Sequence, residues 1–210
     1  MDTALNAIEL RVLGSLIEKE STTPEYYPLT LNALTNACNQ KSNRFPATDY
    51  TDREIQDALA GLRSFGYAAE ISGGSRVPKY AQRFTEKLNM GRRETAVLCV
   101  LILRGGQTLG EIKNRSERLY AFSDLDEVET VVQKLIQRQE GALVQKLAPA
   151  PGLKEPRYAQ LLGGPIDASI VYAPPAAAQG SGDRIANLEY DVAQLREEVA
   201  ELRRRLEAVL

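Results

Sequence analysis

A mainly α-helical chain with small β-hairpins, laid out as two copies of one domain plus a terminal zipper helix, follows from three observations. First, three blocks recur in the same order. Glu9-x-x-Val12-Leu13-x-x-Leu16-Ile17 is echoed by Glu94-x-x-Val97-Leu98-x-x-Leu101-Ile102. Thr30-Leu31-x-x-Leu34-x-Asn36 is echoed by Thr108-Leu109-x-x-Ile112-x-Asn114, and Pro78-Lys79-Tyr80-Ala81-Gln82 by Pro156-Arg157-Tyr158-Ala159-Gln160. Repetition of this kind marks duplicated supersecondary units. Second, within each copy helical periodicity comes first and strand-turn-strand chemistry last. Third, apolar residues from Ile185 onward keep a strict heptad. The 210 residues then divide into domains 1–88 and 89–163, a linker 164–182 and a coil 183–210.

In copy one, Leu5, Ile8, Val12 and Leu16, widened by Leu13 and Ile17, form the buried stripe of a first helix. Pro24 and Pro28 stop it and lead to a short extended piece at Leu29. Thr30 opens a second helix reaching about Cys38. Thr51-x-x-Glu54 is a capping box for a third, whose stripe is Ile55, Leu59 and Leu62 and which ends near Gly66. Tyr67–Ile71 and Val77–Phe84 are strands joined by the turn Ser72-Gly73-Gly74-Ser75, and Pro78 suggests an edge position.

Copy two repeats the order. A helix spans about Arg92–Arg104 and stops at Gly105-Gly106; Thr108-x-x-Glu111 caps the next and Ser123-x-x-Asp126 the third, with Val128, Val132 and Leu135 inward. A hairpin of Ala142–Leu147 and Pro156–Leu162 closes it. The run Val97, Leu98, Val100, Leu101, Ile102, Leu103 leaves almost no polar face, so this helix belongs between the two domains. Three helices followed by a hairpin is the winged-helix order, a relative of the helix-turn-helix. The predicted fold is tandem winged-helix domains with a C-terminal coiled-coil helix.

In the tail, Ile185, Val192, Val199 and Leu206 fall at a, and Leu188, Leu195, Leu202 and Val209 at d. Mostly β-branched a with mostly leucine d favours a parallel dimer. A parallel pair matches Arg184 with Glu189, Asp191 with Arg196 and Glu198 with Arg203; an antiparallel pair would bring Arg184 near Arg205 and Asp191 near Glu198. The partner expected is therefore a second copy of this chain, with a single helix folded back onto its own domains as the alternative.

Composition narrows the chemistry. There is no histidine, which removes the commonest general base and the imidazole metal ligand. Cys38 and Cys99 are isolated in different copies, too few for a zinc site and best read as buried reduced thiols. Gly73-Gly74 lies between strands rather than before a helix, so it cradles no phosphate. No enzyme, cofactor or metal is expected. The absence of a basic-then-apolar leader and of a long apolar run predicts a cytoplasmic protein with no membrane partner.

Nucleic acid is the natural test for this fold, and the charges divide. The net charge of −2 disfavours non-specific cationic binding. Groove-reading third helices carry Asp49, Asp52, Glu54 and Asp57 in copy one, and Asp124, Asp126, Glu127 and Glu129 in copy two. Carboxylates there repel phosphate. Lys134 and Arg138 lie lower on the copy-two helix. The basic candidates gather in copy one: Asn39, Gln40, Lys41, Asn43 and Arg44 in one loop, Arg53 on the third helix, and Arg76, Lys79 and Arg83 on the hairpin. Asn and Gln read base edges while Lys and Arg hold phosphate. DNA binding with a regulatory role is the leading expectation; a non-catalytic protein-interaction module is the alternative.

These residues resemble a known family. Thr22-Thr23-Pro24-Glu25-x-Tyr27-Pro28-Leu29, Ala37-Cys38-Asn39-Gln40-Lys41-Ser42-Asn43-Arg44 and Arg76-Val77-x-Lys79-Tyr80 are similar to the YceH family of bacterial proteins. Leu103-Arg104-Gly105, Tyr120-x-Phe122-Ser123-Asp124 with Glu127-Val128-Glu129, and the heptad tail continue the likeness over nearly the whole chain. The resemblance implies tandem winged helices and no activity, cofactor or substrate. Phe45 departs from it, standing where relatives often carry an acid; stacking on a base and simple packing are both open.

Overall fold

The computed structural model describes residues 4–71, 77–149 and 155–166. All of them belong to one compact unit, Met1–Ile170; a second unit, Val171–Leu210, holds the predicted coil and lies outside the described residues. The described part is mainly helical with two small antiparallel sheets.

The first copy builds α1 (Ala7–Thr22), β1 (Leu29–Thr30), α2 (Leu31–Cys38), α3 (Asp52–Ser64), β2 (Ala68–Ile71), β3 (Lys79–Gln82) and one helical turn, α4 (Phe84–Lys87). The second builds α5 (Arg92–Arg104), α6 (Leu109–Ser116), α7 (Leu125–Ile136), β4 (Val144–Leu147) and β5 (Arg157–Gln160). Polar side chains cap five of the α-helices, whereas α4 and α5 start without a side-chain cap. Thr51 and Glu54 form a full capping box on α3, and Thr108 and Glu111 one on α6, each satisfying two backbone donors that the helix itself cannot reach. Gly105 ends α5 at φ 73°, a conformation that disfavours any side chain with a Cβ.

Four expectations are corrected. Leu5 is not the first residue of the α1 stripe: Asn6 caps that helix, in a box with Glu9, and Leu5 is buried just outside, its N–H donating to Leu162 O at 2.8 Å. The cap of α7 is Asp124 rather than Ser123. Asp124 Oδ1 accepts the Glu127 N–H at 2.8 Å, while the longer Glu127 side chain reaches back to the Ser123 N–H at 2.9 Å. Strand β3 is central, not an edge, in the order β1-β3-β2; Pro78 sits just before it, so no ladder donor is lost. That strand also ends early, because Gln82 Oε1 accepts the Thr85 N–H at 3.0 Å and Phe84 starts a helical turn.

Both sheets repeat one pairing. Leu29 lies opposite Tyr80 in copy one, and Gln107 bridges Tyr158 in copy two. A single core runs through both copies. Residues Ala96 to Leu103 are all buried, because α5 packs on α1 on one side and on α6, α7 and β5 on the other. The seam is tight at Gly14. A Cβ there would stand 2.7 Å from Ile102 Cγ2, and the Cys99 thiol donates to Gly14 O at 3.6 Å. Cys38 and Cys99 are buried free thiols. Burial raises Cys38 to about 11 and pushes Cys99 higher still, so both stay protonated.

Candidate nucleic-acid interface

The loop between α2 and α3 carries five of the nine nucleic-acid candidates, and three of these, Asn39, Gln40 and Arg44, are turned into the loop itself. Arg44 is buried. Its guanidinium reaches both Glu18 oxygens, at 3.1 and 2.6 Å, and Nη2 also donates to Ala37 O at 2.9 Å and Gln40 Oε1 at 3.1 Å. Expected to hold phosphate, it is instead the centre of a network, and Gln40 is spent on it. Asn39 is a clamp: its Nδ2 donates to Tyr50 O and its Oδ1 accepts the Tyr50 N–H, both at 2.8 Å. Asn43 is exposed in the left-handed region at φ 62°, its Oδ1 accepting from Arg104 at the end of α5. Lys41 alone of the five is an exposed cation.

A second buried guanidinium closes the loop from below. Arg11 donates to Cys38 O at 2.9 Å, Thr48 Oγ1 at 3.0 Å and Pro46 O at 2.6 Å. Burial, and then the neighbouring Arg44 charge, hold it below the ordinary guanidinium range. Phe45 donates its N–H to Leu103 O at 2.8 Å while its ring stays 46% exposed. Its ring is thus not packed away. Arg11 and Glu18 were missed as functional-looking residues. The signal was present, since Arg11, Ser15 and Glu18 recur at spacings of 4 and 3 and so share one side of α1.

The remaining candidates are spread over other elements. Arg53 is exposed in the first turn of α3. Lys79 is half-buried on β3, and Arg83 is exposed and paired with Glu86 at 3.3 Å. Arg76 lies outside the described residues, as do all eight predicted zipper positions. Around Arg53 the acids behave differently from one another. Glu54 is turned into its capping box, whose hydrogen bonds hold it below the ordinary carboxylate range, and Asp52 accepts from Thr35, whereas Asp49 and Asp57 are exposed. In copy two, Asp126 and Glu129 face solvent from α7, Lys134 pairs with Glu94, and Arg138 pairs with Glu140 at 3.2 Å.

Among the described residues no three His, Cys, Asp or Glu side chains gather as a metal site, and no helix is long and apolar enough to cross a membrane. Residues 5–153 match DUF480, a family described as a protein of unknown function. A UPF0502 protein of Solibacter usitatus is 52% identical over 209 residues, covering 99% of this chain and all of that protein. One from Pelobacter propionicus is 51% identical over 210 residues, 97% of this chain and 95% of its own. One from Vibrio atlanticus is 45% identical over 218 residues, spanning both chains completely.

Proposed function

We propose that this chain, which belongs to the YceH family (DUF480, UPF0502) of bacterial proteins, is a non-catalytic protein-interaction module. In this reading two winged-helix domains, 1–88 and 89–163, form the scaffold and the heptad tail pairs two chains in parallel. The observation that carries it is the inward orientation of Arg44. The side chain best suited to phosphate is committed to Glu18 and to backbone carbonyls, as Asn39 and Gln40 are committed to the same loop. What the third helices present instead is acidic: Asp57 beside Arg53 in copy one, and Asp126 with Glu129 in copy two.

DNA binding through copy one is the second reading, favoured by the exposure of Lys41 and Arg53. A mobility shift of the full chain on mixed duplex fragments, across a salt series, separates the two. The interaction reading expects no retained duplex at low salt. Retention that weakens in Lys41→Ala/Arg53→Ala, with a salt slope shallower by about one for each phosphate no longer neutralised, would establish the DNA reading. Pairing through the tail has its own test: Leu195→Asp places a charge at a central d position at a cost of several kcal/mol, turning a dimer into a monomer in sedimentation. A monomeric wild type would remove the zipper from the proposal.

A further inference from the structure

We infer that the outward face of α7 is a docking trench for an extended peptide segment bearing lysine or arginine. The inference rests on the protein-interaction reading and names its surface and the partner's chemistry. A groove of about 970 Å³ runs between α7 and the turn at Leu88 and Asn89 that follows α4, a size within the usual range for a ligand site. Its α7 wall carries Asp126, Thr130, Gln133 and Gln137, at spacings of 4, 3 and 4, so these side chains form one stripe along the helix. The two amides offer donors and acceptors side by side, and the Thr130 hydroxyl, which donates to Asp126 O at 2.8 Å, offers an acceptor. An extended main chain offers the matching alternation of N–H and C=O.

Charge selects the side chains that such a segment would carry. The two cations in the trench are already engaged: Lys134 with Glu94, and Arg138 with Glu140 and with Leu88 O at 2.7 Å. Asp126 and Glu129 form no ion pair among the described residues, so the groove carries two carboxylates besides those that its own cations pair. They repel a phosphate backbone and attract a cationic side chain.

The test is a titration of the isotopically labelled full chain, followed by amide chemical shifts. The probe is an acetylated, amidated heptapeptide alternating serine and arginine, with a serine–glutamate peptide as control. The expected result is saturable shifts on α7 and at Leu88–Asn89 with the arginine peptide and none with the glutamate peptide. Asp126→Asn/Glu129→Gln should weaken the arginine peptide about fivefold, as expected for losing two exposed ion pairs. These positions are exposed, so the variant keeps its fold, visible as unchanged shifts elsewhere. Absence of shifts, or shifts insensitive to the double substitution, overturns the trench and leaves the interaction reading intact. Shifts of the same α7 amides on adding duplex DNA overturn both.

Discussion

The two copies share a framework and differ in how they hold the connection between second and third helices. Copy one uses a long segment, 39–51, pinned by two buried guanidinium groups that between them reach Ala37 O, Cys38 O, Pro46 O and Glu18. Copy two uses a shorter one, 117–124, held by aromatic contact. Tyr120 packs edge-on against Phe122 at 4.8 Å, Arg93 lies over the Tyr120 ring, and Tyr120 Oη donates to Glu127 at 3.1 Å. Helix order and strand pairing therefore recur in both copies, while caps and loops are fixed by different physics. A buried polar network commits every member, because leaving one partner unmatched is costly. The copy-two clasp, with Phe122 buried and its polar groups near solvent, leaves fewer buried polar groups to match.

The contrast breaks most easily at Arg44. Arg44→Ala removes the bidentate partner of Glu18, leaving it only the distant Lys19 at 3.9 Å, strips a donor from Ala37 O, and should cost about 3 kcal/mol in urea unfolding. Arg93→Ala, an exposed group in the copy-two clasp, should lose only a small fraction of that; equal losses would erase the distinction between the two loops. Next is the seam. Gly14→Ala drives a methyl toward Ile102 and Leu103 and should lower stability by about 1–3 kcal/mol in thermal unfolding, whereas a neutral outcome would mean that α1 and α5 fit loosely.

The capping boxes on α3 and α6 should respond alike, although they start non-equivalent helices of the two copies. Thr51→Ala and Thr108→Ala should each cost about 1 kcal/mol, since the two boxes have the same geometry. In α7, Asp124→Asn should destabilise more than Ser123→Ala. Backbone hydrogen bonds, from Glu127 to Asp124 and from Ser123 to Glu127, hold both carboxyls below their ordinary range in the folded state. Their stabilisation is therefore present above the ordinary carboxylate range and lost as pH falls through the lower folded values. The difference between wild type and Asp124→Asn should shrink below about pH 4 in equilibrium unfolding. A constant difference would show that the cap charge plays no part.

What was legible in the sequence was local. Helix stripes such as Ile55, Leu59 and Leu62, the boxes at Thr51 and Thr108, and the apolar run of α5 from Ala96 to Leu103 depend on neighbours within a turn or two. The central place of β3 was not legible, because it depends on β1, some fifty residues earlier in the chain. Nor was the fate of Arg44. A polar loop free of acids reads as a surface, and only the fold brings Glu18 beneath it. The string from Cys38 to Arg44 that carries the family resemblance thus spends most of its polar groups on holding itself in place.

The hydrogen bond from the Phe45 N–H to Leu103 O has a further consequence. The last carbonyls of a helix lack partners within it, and here one of them is satisfied by the other copy, as Arg104 is by Asn43. Residues 89–163 alone would bare an apolar helix and an unmatched carbonyl together. Unfolding should therefore be a single cooperative event across both copies, with the slowest-exchanging amides of α1 and α5 sharing one opening free energy.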